Sequence, residues 1–282
     1  MKRIPLLPNV ITAFGLSCGL YAIFKMNMTP VGEVNVTLLI SIAGLLLTAA
    51  FADLLDGAVA RAMKAESEFG GLFDSLADAI TFGVGPSVII LKTLSILPGT
   101  PLSFFLTTAA MVYSVCGVLR LVRFNVMHNE EKVDLDLKDA QKKNFTGLPI
   151  PAAAAAAVSG NLFLVSDELK LLVELDDTMR AWILFVMLFV LGYFMVSRWK
   201  FPSLKTLHIK VSSFQVVFAT VISAALIMYG ILNHFPAVFF ALSWSYLVIA
   251  WVLSTIRLIS GKKSKTLEDF EPEPDDPEEV DI

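Results

Sequence analysis

Asp53-Leu-Leu-Asp56-Gly57-Ala-Val-Ala60-Arg61, then eight residues to Gly70, three more to Asp74 and three more to Asp78: this acidic run lies inside a strongly apolar chain. A carboxylate near the centre of a bilayer costs about 2.5–3.5 kcal/mol on insertion scales. Four of them between positions 53 and 78, with an arginine among them, read as a site rather than as packing.

The 282 residues are 56% hydrophobic and only 17% charged, with a mean hydropathy of +0.70. A soluble domain carries about 25% charge. Apolar stretches of about 20 residues, enough to cross a bilayer, recur along the whole length. The expectation is an all-α polytopic membrane protein, a bundle of eight transmembrane helices at approximately 8–26, 35–63, 71–95, 102–127, 149–167, 180–198, 211–232 and 236–258. Residues 1–263 then form one transmembrane domain, with no room for a separate soluble one. Residues 264–282, ending in Glu271-Pro-Glu-Pro-Asp-Asp-Pro-Glu-Glu-Val-Asp-Ile282, hold much of the acid behind the net charge of −4. They read as a solvated, disordered cytosolic tail. Met1-Lys-Arg and its apolar run lack a small-x-small cleavage site, and Pro8-Asn9 stands where the apolar region begins. A retained first helix is expected. Cys18 and Cys116 fall inside expected spans without CxxC or metal spacing and read as apolar packers. His128, His208 and His234 are scattered and are assigned no chemistry. No nucleic-acid partner is expected.

Lys and Arg alternate between the two sides. Lys2, Arg3, Arg61, Lys64, Arg120, Arg123, Lys132, Lys138, Lys142, Lys143, Arg198, Lys200, Lys205, Lys210, Arg257, Lys262, Lys263 and Lys265 fall on one side. Only Lys25, Lys92, Lys170 and Arg180 fall on or near the other. The positive-inside rule then makes both termini cytosolic, in agreement with an even number of spans. A second span starting near Asn35 on the outer side carries Asp53 roughly 27 Å along, at about 1.5 Å per residue. That is the cytosolic boundary of a hydrocarbon core about 30 Å thick. A third span starting near Gly71 holds Asp74 and Asp78 in its first turns, so the carboxylates meet in one layer within reach of cytosolic water.

At about 100° per residue, Asp53, Asp56 and Ala60 share one helical face, flanked by Gly57 and Arg61. Asp74 and Asp78 stack one turn apart on the facing helix. Converging carboxylates in a low-dielectric site must share protons, pair with cations or bind metal. One arginine is too few to balance four acids in an internal salt-bridge cluster. Oxygen-only ligands favour hard divalent ions, Mg²⁺, Mn²⁺ or Ca²⁺, and two ions with bridging carboxylates can be held. Gly57, Ala60 and Gly70 leave room beside them for a ligand's close approach. Such ions beside small residues at a membrane surface point to a diphosphate ligand.

The run resembles the motif of the CDP-alcohol phosphatidyltransferases, Asp-x2-Asp-Gly-x2-Ala-Arg-x8-Gly-x3-Asp-x3-Asp, at every fixed position and across the eight-residue gap. Further segments resemble the bacterial and archaeal phosphatidylserine synthases of that family. They are Pro8-Asn9-Val-Ile-Thr12 with Ser17-Cys18-Gly19, Arg120-Leu-Val-Arg123-Phe124-Asn125, and Asn144-Phe145-Thr146-Gly147-Leu148-Pro149-Ile-Pro151. Val122 replaces the usual alanine of the second segment. Val196-Ser197-Arg198 through Phe201-Pro202-Ser203 adds a weaker match. The resemblance covers about residues 1–210, leaving the last two spans and the tail unmatched.

The resemblance implies transfer of a phosphatidyl group from CDP-diacylglycerol to L-serine with release of CMP. It implies two Mg²⁺ or Mn²⁺ ions, Ca²⁺ being admissible, on Asp53, Asp56, Asp74 and Asp78. Asp78, the deepest acid of the third helix, is expected to be the general base. Asn9, Thr12, Asp53, Gly57, Ala60, Arg61 and Gly70 would line the CDP moiety. Arg120 and Arg123, three apart at a helix end on the carboxylates' side, with Asn125, are candidates for gripping a phosphate or the acceptor's carboxylate. A homodimer among membrane lipids, in the inner (cytoplasmic) membrane with the site facing the cytosol, is also implied.

The motif itself does not name the acceptor: serine, glycerol 3-phosphate, inositol phosphate and choline stay open on it, as does an ether-lipid donor. A divalent-cation transporter is the competing class. It needs a polar path across the membrane, and the outer halves of these spans offer few acids.

Overall fold

The computed structural model describes residues 6–30, 32–65, 67–94, 96, 99–130, 145–197, 200–201 and 228–260. Among the described residues its helices include α1 Leu6–Met28, α2 Val36–Ala62, α3 Glu68–Asp78, a π-helical segment Ala79–Val84, α4 Gly85–Thr93, α5 Pro101–Glu130, α6 Ile150–Val165, the single turn α7 Asp167–Lys170, α8 Asp177–Val196 and α9 Phe235–Ser260. Among the described residues, six stretches are long and apolar enough to cross a membrane: Leu6–Met28, Val36–Ala62, the continuous rod Glu68–Thr93, Pro101–Val126, Asp177–Val196 and Phe235–Val252. They correspond to six of the eight expected spans. The fifth, expected over 149–167, is helical as α6 but has only 16 residues, or about 24 Å of rise, short of a full hydrocarbon core. Most of the seventh, 211–232, and all of the tail, 264–282, lie outside the described residues. Among the described residues the strand pairing is a two-residue ribbon, Phe145–Thr146 antiparallel to Lys200–Phe201.

Capping side chains set two helix starts that matter. Asn35 accepts the Leu38 N–H at 2.8 Å and opens α2. Ser67 accepts the Gly70 N–H at 3.0 Å and opens α3 at Glu68, earlier than the sequence-based start near Gly71. Satisfying a first-turn donor extends the helix backward. Gly70 and Gly71 therefore lie within α3, with Asp74 in its second turn and Asp78 its last residue, where the π-helical segment takes over.

The π-helical segment has a local cause in Pro86, which has no N–H to give to the Phe82 carbonyl four residues back. The helix widens there, with Gly85 N–H bonding to Ile80 O. Helix α5 takes up the freed acceptors: Tyr113 OH donates to Phe82 O at 3.2 Å and Ser114 Oγ to Gly83 O at 3.0 Å. Ser87 adds a bond to Ala110 O at 2.9 Å. The third span is thus tied to the fourth just beyond Asp78.

Packing relies on small residues. A methyl group added at Gly15 would come 3.2 Å from Ala52 Cβ, and one at Gly192 3.5 Å from Tyr113 Cα. Such approaches let helices associate where lipid competes with apolar side chains. In α6, Ala153, Ala154, Ala156 and Ala157 are buried. Large residues such as Phe14, Phe51, Leu54, Phe104 and Tyr193 face outward. On a water-soluble protein these would be a liability; against acyl chains they are the solvated face. Gly147 has φ +83°, and a Cβ there would come 2.6 Å from Met195 O. That turn is pinned to the end of α8 by the Leu148 N–H bond to Phe194 O at 3.0 Å.

Candidate active site

Helices α1, α2 and α3 meet in layers, with α2 antiparallel to the other two. At the first layer, Asn9 Oδ1 lies against Gly70, 3.2 Å from where a Cβ would stand. At the second, Thr12 Oγ1 donates to Asp56 Oδ2. At the third, Gly15 packs on Ala52 and Ala49. At the fourth, Gly19 packs on Thr81, whose Cβ lies 2.8 Å from the position of an added methyl. Glycines at 15 and 19 let α1 close over the other two helices, with the acids between them.

Asp53, Asp56 and Asp74 each bring one carboxylate oxygen into a cluster whose members all lie within 4.8 Å of one another. Asp56 is buried, and Asp53, Asp74 and Asp78 are half-buried. Asp53 and Asp74 are in side-chain hydrogen-bonding contact across the helix pair. Asp78 joins these three in lining a cavity roofed by Thr12 and floored by Thr81. Negative charge this concentrated and this sheltered calls for counter-cations. An all-oxygen donor set at this spacing fits a hard divalent ion.

The flanking residues fall around this cluster. Arg61, exposed, folds back over Gly57: a methyl there would meet Arg61 Nη1 at 3.3 Å. Ala60 is half-buried on the same helix. From α5, Arg120 is half-buried, within electrostatic contact of Asp78 and of Tyr246, and its Nε has no hydrogen-bond partner among the described residues. Arg123 lies one turn on, also half-buried. Asn125 Nδ2 donates to Ser75 Oγ at 3.0 Å, so this segment reaches α3 beside Asp74.

Three residues at the site were absent from the sequence-based set: Thr81, Ser75 and Tyr246. Thr81 stands three positions after Asp78 on the same wall, a spacing that would have marked it. Ser75 is visible only through its pairing with Asn125, 50 positions away. Tyr246 lies on α9, beyond the segments that carried the resemblance.

A sequence model of the CDP-alcohol phosphatidyltransferase family matches residues 5–172, which contain the whole acidic run. The chain is also similar to proteins named CDP-diacylglycerol–serine O-phosphatidyltransferase. That of Helicobacter pylori (strain 26695) is 30% identical over 257 residues, 91% of this chain and 95% of that protein. That of Bacillus subtilis is 32% identical over 200 residues, 71% of this chain and 91% of that protein. That of Mycobacterium leprae is 35% identical over 158 residues, and there the match spans 46% of the relative's length. With its family-wide match centred on these converging aspartates, the chain belongs to the CDP-alcohol phosphatidyltransferase family.

Proposed function

We propose that this protein transfers the phosphatidyl group of CDP-diacylglycerol to the hydroxyl of L-serine, forming phosphatidylserine and CMP. The observation that carries the reading is the approach of Asp53, Asp56 and Asp74 to within 4.8 Å. It supports a divalent-ion site suited to a diphosphate. The serine acceptor rests on the names of the relatives and on the Arg120–Asn125 and Phe145–Pro151 segments.

In this reading Asp53, Asp56 and Asp74 would hold Mg²⁺ or Mn²⁺, with Asp78 completing the shell of a second ion, and such ions would supply positive charge for the diphosphate and for the departing CMP. Asp78 takes the proton of the serine hydroxyl. The freed oxygen bonds to the phosphatidyl phosphorus as the phosphorus–oxygen bond to CMP breaks. Asn9, Thr12, Asp53, Gly57, Ala60, Arg61 and Gly70 line the CDP moiety. Arg120, Arg123 and Asn125 hold the acceptor's carboxylate or the phosphate, for which guanidinium has the matching fork. The acyl chains stay in the bilayer, which accounts for placing a site for a lipid and a dissolved amino acid at the end of a helical bundle. The wider arrangement is eight spans over 1–263, both termini and the site facing the cytosol, and a solvated tail over 264–282. We place a homodimer of this chain in the cytoplasmic membrane.

The test supplies the purified full chain in lipid with CDP-diacylglycerol and Mn²⁺ or Mg²⁺. Serine, glycerol 3-phosphate, inositol phosphate and choline are offered separately, and both CMP and lipid product are read. Phosphatidylserine formed with serine alone, and lost in Asp78→Asn, is the expected result. Turnover with another acceptor would keep the chemistry and overturn the serine assignment.

A further inference from the structure

Thr81 is 2% exposed, and its Oγ1 has no hydrogen-bond partner among the described residues. A threonine in an apolar helix ordinarily returns its hydroxyl to the carbonyl four residues back. In this chain Thr48, Thr93, Thr107 and Thr108 do so at 2.8, 2.7, 2.8 and 2.9 Å. Thr81 does not. It falls in the π-helical segment, whose altered register begins at Ala79, directly after Asp78. Helix α1 accommodates its side chain with a glycine, Gly19. π-Bulges of this kind recur at functional sites because they re-aim a side chain.

The side chain lines the cavity that Asp53, Asp56, Asp74 and Asp78 also line. That cavity has a volume of about 10 Å³, close to what one water needs, and a buried water needs two to four polar partners. Thr81 at the floor, Thr12 and the carboxylates are the polar residues that line it.

We propose that Thr81 is a positioning residue for Asp78: through one water in this cavity its hydroxyl fixes the rotamer of the Asp78 carboxylate. The inference rests on the reading of Asp78 as the base for phosphatidyl transfer. It adds a residue outside the acidic motif, one turn deeper in the membrane, whose role is orientation. A misdirected base slows the chemical step by roughly 10- to 100-fold while leaving substrate binding alone.

The test compares Thr81→Val, Thr81→Ser and Asp78→Asn in the full-length protein, with kcat and both KM values measured beside thermal melting. Valine keeps the shape against Gly19 and removes the hydroxyl; serine restores the hydroxyl. The expected result is a kcat lowered at least about tenfold in Thr81→Val, with KM for serine and for CDP-diacylglycerol within about twofold, and recovery to within about threefold in Thr81→Ser. A Thr81→Val enzyme with wild-type kcat would overturn the proposal while Asp78→Asn stays inactive. Equal losses in the valine and serine variants, tracking a lowered melting temperature, would assign Thr81 to packing and overturn it too. Full turnover by Asp78→Asn, or none by the wild type, would instead remove the base assignment and this inference with it.

Discussion

Asn125 Nδ2 donates to Ser75 Oγ at 3.0 Å, and the Ser75 hydroxyl in turn reaches Gly71 O at 3.0 Å. This chain of bonds joins the C-terminal part of α5 to the helix that carries Asp74 and Asp78. Asn125→Ala breaks it from one side and Ser75→Ala from the other. Each change is expected to lower stability by about 1 kcal/mol, the usual net worth of such a bond, and to raise KM for serine several-fold as the Arg120–Asn125 segment shifts. Because both remove the same link, the double variant is expected to be no worse than the poorer single one. Melting curves and serine-dependent CMP release on the four proteins check this; additive losses would show that Asn125 acts independently of Ser75.

Thr12 gives its hydroxyl to Asp56 from the neighbouring helix, and also lies 3.1 Å from Pro8 O. Partners that orient a metal-holding carboxylate contribute about 10- to 100-fold in affinity or activity when removed. Thr12→Val is therefore expected to raise the Mn²⁺ concentration for half-maximal activity by at least about tenfold. Chelation with EDTA should abolish turnover in the wild type, and added Mn²⁺ or Mg²⁺ should restore it. An unchanged Mn²⁺ requirement in Thr12→Val would assign Thr12 to the nucleotide alone.

The acidic centre was legible because its chemistry and its local geometry coincide. Asp53 and Asp56 lie one turn apart on α2, and a short turn brings Asp74 back beside them, so spacing alone predicts their meeting. Six spans were legible from hydropathy for the same reason, since each is a local property. What spacing could not give was set by distant or subtle causes. The start of α3 moved because Ser67 caps it. The π-helical segment depends on Pro86 and on hydroxyls from Tyr113 and Ser114 of another helix. Tyr246 comes near Arg120 only because α9 packs back against the bundle.

Gly147 tests how firmly the Phe145–Pro151 turn is anchored. Its φ of +83° is a conformation that residues with a Cβ rarely adopt, and an added methyl would press on Met195 O at 2.6 Å. Gly147→Ala combines backbone strain with a steric clash, so a loss of about 2–4 kcal/mol is expected. The Leu148 N–H bond to Phe194 O should break with it. A melting temperature unchanged from wild type would show that the turn relaxes without cost.

The sidedness of the site is open to a direct chemical test. Met63 ends α2 beside Arg61 and Lys64, and Asp176 precedes α8; both side chains are exposed, and both native cysteines lie within helices. By the positive-inside rule, the basic residues around the α2–α3 turn lead us to expect it in the cytosol and Asp176 on the opposite side. Met63→Cys should react with a membrane-impermeant maleimide only after cells are permeabilised, while Asp176→Cys should react on intact cells. Neither change touches the Asp53–Asp78 cluster, so phosphatidyl transfer is expected to persist in both variants. The reverse labelling pattern would put the aspartate cluster on the outer face, away from a cytosolic nucleotide-lipid headgroup and away from cytosolic serine.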